Sequence, residues 1–259
     1  MHRCLLFVSL LAGCSQAVAA PTSFVVVGSA QEGNLRIEHR QSGALHLWLA
    51  TTTDPTAIKV LPSKKAQPIE RFAGARRGVT INGGFYEHDR AMGLVVAKGK
   101  TISPLSARGG SGIFTLSRGR PDIVHKDAYA EGPEYALQSI DRLVDRGRSL
   151  VGRKASTSLD ARSAVFLRPG EVGFVVLYDE AAATDERGVI QLDSKSSTTG
   201  ISLFDFAALL ARSQKQGGLG ATKALNLDGG YSTSLVVHVG ELNLEIRAHR
   251  ATINAISMR

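Results

Sequence analysis

The chain has 259 residues, 43% of them hydrophobic, which is enough for one large domain or two small ones with a real core. Lys and Arg number 31 against 23 Asp and Glu, a formal charge of +8 that favours anionic partners such as phosphorylated glycans or lipid head groups, or a solvated basic surface. Both cysteines, Cys4 and Cys14, precede residue 20, which excludes an internal disulfide and a cysteine zinc site from the body of the protein.

In chain order, Met1-His2-Arg3, the apolar run 4–12 and the small residues Ala17-Val18-Ala19-Ala20 read as a secretory signal over residues 1–20. Leu11-Ala12-Gly13-Cys14 also matches a bacterial lipobox, so a cut after Ala19 or Ala20 and a lipidated Cys14 are both open. Either places the protein in the periplasm, the envelope or outside the cell, with a membrane involved only through an anchor at Cys14. No apolar run reaches the ~18 residues that a spanning helix needs. Residues 21–57 form N-terminal strands ahead of a domain over 58–259. Residues 45–49 and 57–61 read as strands around the Asp54-Pro55 turn, and 68–73 as a short helix leading into a strand that ends at Asn82.

Residues 94–97 and 100–103 form a hairpin closed at Lys98-Gly99, and 164–167 with 172–178 another closed at Arg168-Pro169-Gly170-Glu171. Residues 109–112 and 141–160 read as long loops. A helix starts at the N-cap Ser202, with Asp205 at the capping-box position and Leu203, Phe206, Ala207 and Leu210 on one stripe. Arg212 and Lys215 complement its end before Gly217-Gly218 stop it. Residues 224–227 and 235–239 read as strands joined by a tight Asp228-Gly229-Gly230 turn that needs positive φ. Hairpins with two helices predict an α+β class with mixed and antiparallel sheets in a single compact domain, not a doubly wound fold.

Two clusters break the apolar pattern in the same way: Asn82-Gly83-Gly84-Phe85-Tyr86, and Asn226-Leu227-Asp228-Gly229-Gly230-Tyr231-Ser232-Thr233. Each follows an apolar run with an amide and two glycines, so the pair can face each other across one pocket. An Asp-Gly-Gly turn alone is ordinary turn chemistry. The order of further segments discriminates: Gly93-Leu94-Val95-Val96, Lys98-Gly99-Lys100, Tyr135-Ala136-Leu137-Gln138-Ser139, Arg162-Ser163-Ala164-Val165 and Gly200-Ile201-Ser202-Leu203 stand between the two clusters. The series resembles the phosphodiester glycosidase family, which includes the lysosomal uncovering enzyme and bacterial proteins tied to exopolysaccharide biosynthesis. The resemblance covers residues 58–259. It implies a glycosidase-type hydrolase that cleaves a sugar-1-phosphate diester or a related linkage in an envelope glycan.

Such a reaction develops positive charge on the sugar ring and negative charge on the departing phosphate. Asp228 is the leading carboxylate, as acid, base or ring-charge stabiliser, with capping of its own turn as the plain alternative. Arg162 suits a phosphate clamp, because a guanidinium grips two oxygens at once; a surface ion pair is its plain alternative. Asn82 and Asn226 can bond sugar hydroxyls or phosphate oxygens without titrating, or hold the two turns. Gln138 joins the ligand contacts through the resemblance. Ser232 and Thr233 can donate to the phosphate, while Gly83, Gly84, Gly229 and Gly230 let a substrate approach the backbone. Glu87 and His88, directly after the first cluster, supply further acid or base groups.

Ile140-Asp141-Arg142 replaces the family's usual Gly-Pro and apolar residue, and Tyr231 stands where a third glycine is frequent. No nucleophile elbow, His pair, Walker or dinucleotide motif is present. No cofactor is expected, although Asp228 with backbone oxygens could hold a divalent cation. Basic residues between 142 and 162 lack interleaved aromatics, so nucleic acid is set aside. A non-catalytic envelope protein that binds an anionic polysaccharide and assists its assembly or export is the alternative function; it needs Arg162 and the amides but no titrating acid.

Overall fold

The computed structural model of the chain describes residues 23–153, 158–179, 183–186, 188–192 and 200–259, and the leader with Cys14 lies outside them. Among the described residues strands make up 52% and helices 12%, so the fold is mostly β and the expected α+β class is corrected. The α-helices, Ile69–Ala73 and Leu203–Ala211, are too short to form a layer of their own and each covers part of one sheet face.

The first sheet runs, in spatial order, Val25–Glu32, Leu35–Ser42, Leu45–Thr52, Glu171–Asp179, Arg162–Arg168, Lys223–Asn226, Arg142–Asp145 and Arg148–Ser149. The second runs Ala183–Thr184, Ile190–Gln191, Leu242–Arg247, Leu235–Val239, Gly78–Asn82, Thr252–Met258 and Ile58–Gln67. A third holds Arg120–His125, Gly112–Ser117, Tyr135–Ser139, Val95–Ala97 and Lys100–Ser103. Among the described residues the pairing is antiparallel except where Ile190–Gln191 lies along Leu242–Arg247.

Alternation along Arg162–Arg168 explains why the first sheet is central. Val165 and Leu167 join a core with Val79, Ile81, Val237 and Ile256 of the second sheet and Phe114 and Leu137 of the third. Ala164 and Phe166 face the other way, against Leu203, Phe206 and Leu210 of the longer helix. A strand buried on both faces is apolar at successive positions rather than at alternate ones. Phe166 lies directly over Gly173 on the paired strand, where an added Cβ would sit 2.2 Å from ring atom Cε1. Gly173→Ala should therefore destabilise the protein by about 1–3 kcal/mol through overpacking. A melting temperature within 1 °C or so of wild type would show that the ring can move aside.

The two predicted hairpins form, with Lys98 at φ 52 and Gly99 at φ 74 in the first turn and Gly170 at φ 77 in the second. Three expectations change. Residues 141–160 contain the hairpin Arg142–Asp145 with Arg148–Ser149, whose Leu143 and Val144 are buried in the cluster under the longer helix. The longer helix begins at Ser202, whose Oγ accepts from Asp205 N at 3.0 Å, but ends at Ala211. Leu219 N and Ala221 N return to donate to Leu209 O and Leu210 O, closing the helix end before Gly217 is reached. Finally, Lys223–Asn226 and Leu235–Val239 are not a hairpin. They belong to the first and second sheets, and the Asp-Gly-Gly segment carries the chain from one sheet to the other.

Candidate active site

The sheet crossing is tied to the first cluster by hydrogen bonds. Asn82 ends its strand fully buried; its Oδ1 accepts from Ser234 N at 3.0 Å and its Nδ2 donates to Asp228 O at 2.6 Å. Asp228 N donates to Gly83 O at 2.9 Å, and Ser163 Oγ donates to Asp228 O at 3.3 Å. Gly230, at φ 56, turns the chain and donates to Ala161 O at 2.8 Å. With its backbone held on both sides, Asp228 has only its side chain to present. Gly83 and Gly84 are required by close approach: an added Cβ would lie 2.8 Å from Asn254 O at Gly83 and 2.5 Å from Gln138 O at Gly84.

A cavity of about 460 Å³ opens at this junction. Phe85, Tyr86, Glu87 and His88 wall one side, and Asp228, Gly229, Tyr231 and Ser232 the other, with Arg250 at its edge. Burial pushes the Asp228 carboxyl up from 3.8 to about 6, outweighing a hydrogen bond from Ser232 and the charge of Arg250, which both act downward. Burial likewise raises the Tyr86 phenol, with the Asp228 charge adding to it, and the hydroxyl donates to Ala251 O at 2.6 Å. Arg250 is exposed, lies 5.4 Å from the centroid of the Tyr231 ring, and donates through its backbone N to Tyr231 O at 2.9 Å. The cavity thus sets a carboxyl with a pKa raised to about 6 beside a solvated cation and an exposed aromatic ring.

Asp228, Gly229, Ser232, Glu87 and His88 line the cavity, whereas the other sequence-predicted residues do not form its wall. Glu87 pairs with Arg108 at 2.8 Å, and His88, at φ 47, forms the tip of the Tyr86–Glu87 and Arg90–Ala91 hairpin with Asp89. Gln138 is fully employed: Oε1 accepts from Leu94 N and Ser106 N, and Nε2 donates to Ser106 O and Gly110 O, which fastens the loop 104–111 to its strand. Arg162 donates from Nε to Ile201 O and from Nη2 to Ser158 O and the Asp160 carboxylate, beside the Gly229 backbone. Burial lowers its pKa while Asp160 pulls the other way. Asn226 and Thr233 are buried, and Asn226 Oδ1 and Thr233 Oγ1 make no hydrogen bond among the described residues. Among those residues no group of three or more His, Cys, Asp or Glu could hold a metal ion.

Sequence reasoning missed Tyr86, although it stood in the quoted cluster, and Arg250, which no motif marks. It also missed Asp160, whose carboxylate lies 3.6 Å from the position a Cβ would take on Gly230.

A family model for phosphodiester glycosidases matches residues 75–257. The fold is similar to the catalytic domain of zebrafish N-acetylglucosamine-1-phosphodiester alpha-N-acetylglucosaminidase auto-inhibited by its pro-peptide, at TM-score 0.62 and 16% identity over 92% of this chain and 86% of that one. It is also similar to a hypothetical protein from Synechocystis, at TM-score 0.52 and 18% identity over 87% of this chain and 62% of that one. No curated protein matches the chain significantly.

Proposed function

From the premise that the chain belongs to the phosphodiester glycosidase family and is a glycosidase-type hydrolase, we propose that it cleaves a sugar-1-phosphate diester of the cell envelope at the bond to the anomeric carbon. The observation that carries this reading is the Asp228 carboxyl, its pKa raised to about 6 by burial, in a cavity of about 460 Å³ beside Arg250. That volume falls in the ~300–1,000 Å³ range of small-molecule sites. In the proposed reaction Asp228 passes its proton to the bridging oxygen as the bond to the anomeric carbon breaks. The electron pair leaves with the phosphate, which Arg250 holds, and water adds to the anomeric carbon and releases a proton to solvent. Tyr231 offers its exposed face to the sugar, Ser232 orients the acid, and the Gly229 backbone forms part of the wall, while Gly230 turns the chain behind it. Glu87 and His88 occupy the exposed lip as secondary candidates. Asn82, Gln138, Asn226, Thr233 and Arg162 are positioning residues in this account, because they do not form the cavity wall or have their polar atoms engaged.

Export to the periplasm or envelope, with or without lipidation of Cys14, is part of the proposal and rests on the leader pattern. No helix among the described residues is long and apolar enough to cross a membrane.

The test is release of reducing sugar from a panel of sugar-1-phosphate diesters by the purified protein. Silence across the panel from a folded sample would remove the assignment and favour a polysaccharide-binding role. Arg250→Ala should raise KM for a cleaved diester roughly 10-fold or more, the worth of one charge-assisted hydrogen bond. It should also move the alkaline limb of the pH profile upward, because Arg250 holds the Asp228 pKa down. An unchanged KM would place the phosphate elsewhere.

A further inference from the structure

Beyond the Tyr86–Glu87 and Arg90–Ala91 hairpin lies a second cavity, of about 770 Å³, that the reaction above does not use. Its wall is largely aliphatic, with Val95, Pro104, Ile253 and Ile102, and Ile102 is 50% exposed on the Lys100–Ser103 edge strand. Lys64 and Arg90 add positive charge and Asp89 one negative charge. Asn254 also lines this cavity and is 1% exposed. Its Oδ1 accepts from Gly84 N at 2.7 Å, which fixes the amide orientation, and its Nδ2 has no partner among the described residues.

A third cavity of about 480 Å³ shares the lining residues Glu87 and His88 with the Asp228 site, and Arg90, Met92 and Ser106 with the aliphatic groove; Arg108 lies on it as well. Along the hairpin the order is therefore an acid, a neck with cations, and an apolar wall. A diester made of a sugar, a phosphate and an alkyl chain presents its groups in the same order.

We propose that the groove lined by Ile102 and Asn254 binds an aliphatic chain carried on the substrate's phosphate, so that the substrate is an amphiphilic sugar phosphodiester. This inference rests on the glycosidase reading of the Asp228 cavity. Val95, Ile102, Pro104 and Ile253 cover its methylenes.

Titration calorimetry with decyl phosphate, below its micellar concentration, and with methyl phosphate tests the groove without any need for turnover. Decyl phosphate should bind on the order of 100-fold more tightly, the effect of sheltering a few methylenes. Ile102→Glu should erase most of that preference and Ile102→Leu should keep it; both changes fall on a half-exposed side chain, and a melting curve confirms the fold. Equal affinity for the two phosphates, or a preference indifferent to Ile102→Glu, overturns the groove, even where short sugar diesters are hydrolysed and the glycosidase reading stands. Chain-dependent binding that Ile102→Glu removes, in a protein that cleaves no sugar phosphodiester, sustains the groove and removes the glycosidase reading instead.

Discussion

Asp228→Asn should lower kcat roughly 10²–10⁴-fold, the usual contribution of a positioned acid, while changing KM little. The same variant should be more stable than the wild type at neutral pH. Burial raises the folded-state pKa of Asp228 from 3.8 to about 6, so between these values the folded protein holds a proton that the unfolded chain has released. Wild-type stability from this group is therefore fully present below about pH 4 and is lost as pH rises through about 6. Asparagine is neutral throughout, and at pH 7 its gain is about 1–3 kcal/mol, the upper end being two pKa units undiminished by solvent. Chemical denaturation of both proteins at pH 4 and pH 7, beside their kinetics, gives the answer. A gain equal at both pH values would mean that the carboxylate is not strained by burial, and retained turnover would end the claim that Asp228 is the acid. Wild-type kcat/KM should correspondingly fall above about pH 6 as the acid ionises.

Asn82→Asp should be among the most damaging single-atom changes in the molecule. The new carboxylate can still accept from Ser234 N, but an oxygen replaces the Nδ2 donor that lies 2.6 Å from Asp228 O. Two acceptors would then face each other in a fully buried setting, at a cost of about 2–4 kcal/mol and a fall in melting temperature on the order of 10 °C. Activity should drop with it, because the crossing that carries Asp228 loses its anchor. The result also separates two roles for Asn82. A residue that bonded the sugar would raise KM and leave the melting temperature alone, and that outcome would return Asn82 to the substrate.

How much of this was legible depended on how local each signal was. The hairpins closed at Lys98-Gly99 and at Arg168 to Glu171 are specified by their own turns, and they form as read. Residues 224–239 carry an equally good hairpin signature, yet their partners are chosen by distant strands: Arg162–Arg168 on one side and Gly78–Asn82 on the other. A turn sequence cannot say which sheet its second strand will join. In 141–160 the run of arginines masked Leu143 and Val144, two adjacent apolar residues that bury a strand in the first sheet. At the proposed site, glycines and one carboxylate stand out in the sequence, since positive φ and close backbone approach narrow the choice of residue. The division of labour was hidden. Asn82, Gln138 and Arg162 have the chemistry of ligand contacts, and only the three-dimensional placement of their partners shows them bonded to backbone and to Asp160. Arg250 follows a plain strand connection and carries no sequence mark.

The bond between Asn82 and Asp228 joins residues 146 positions apart, and it spans two sheets that are each stitched from distant strands. Contacts of such separation form late, because the loop between them must first be closed. A chain with either sheet assembled alone would own every residue of the pocket and have no pocket. Hydrolytic competence should thus be gained only when the two sheets meet, and a molecule with the crossing unformed would be inactive.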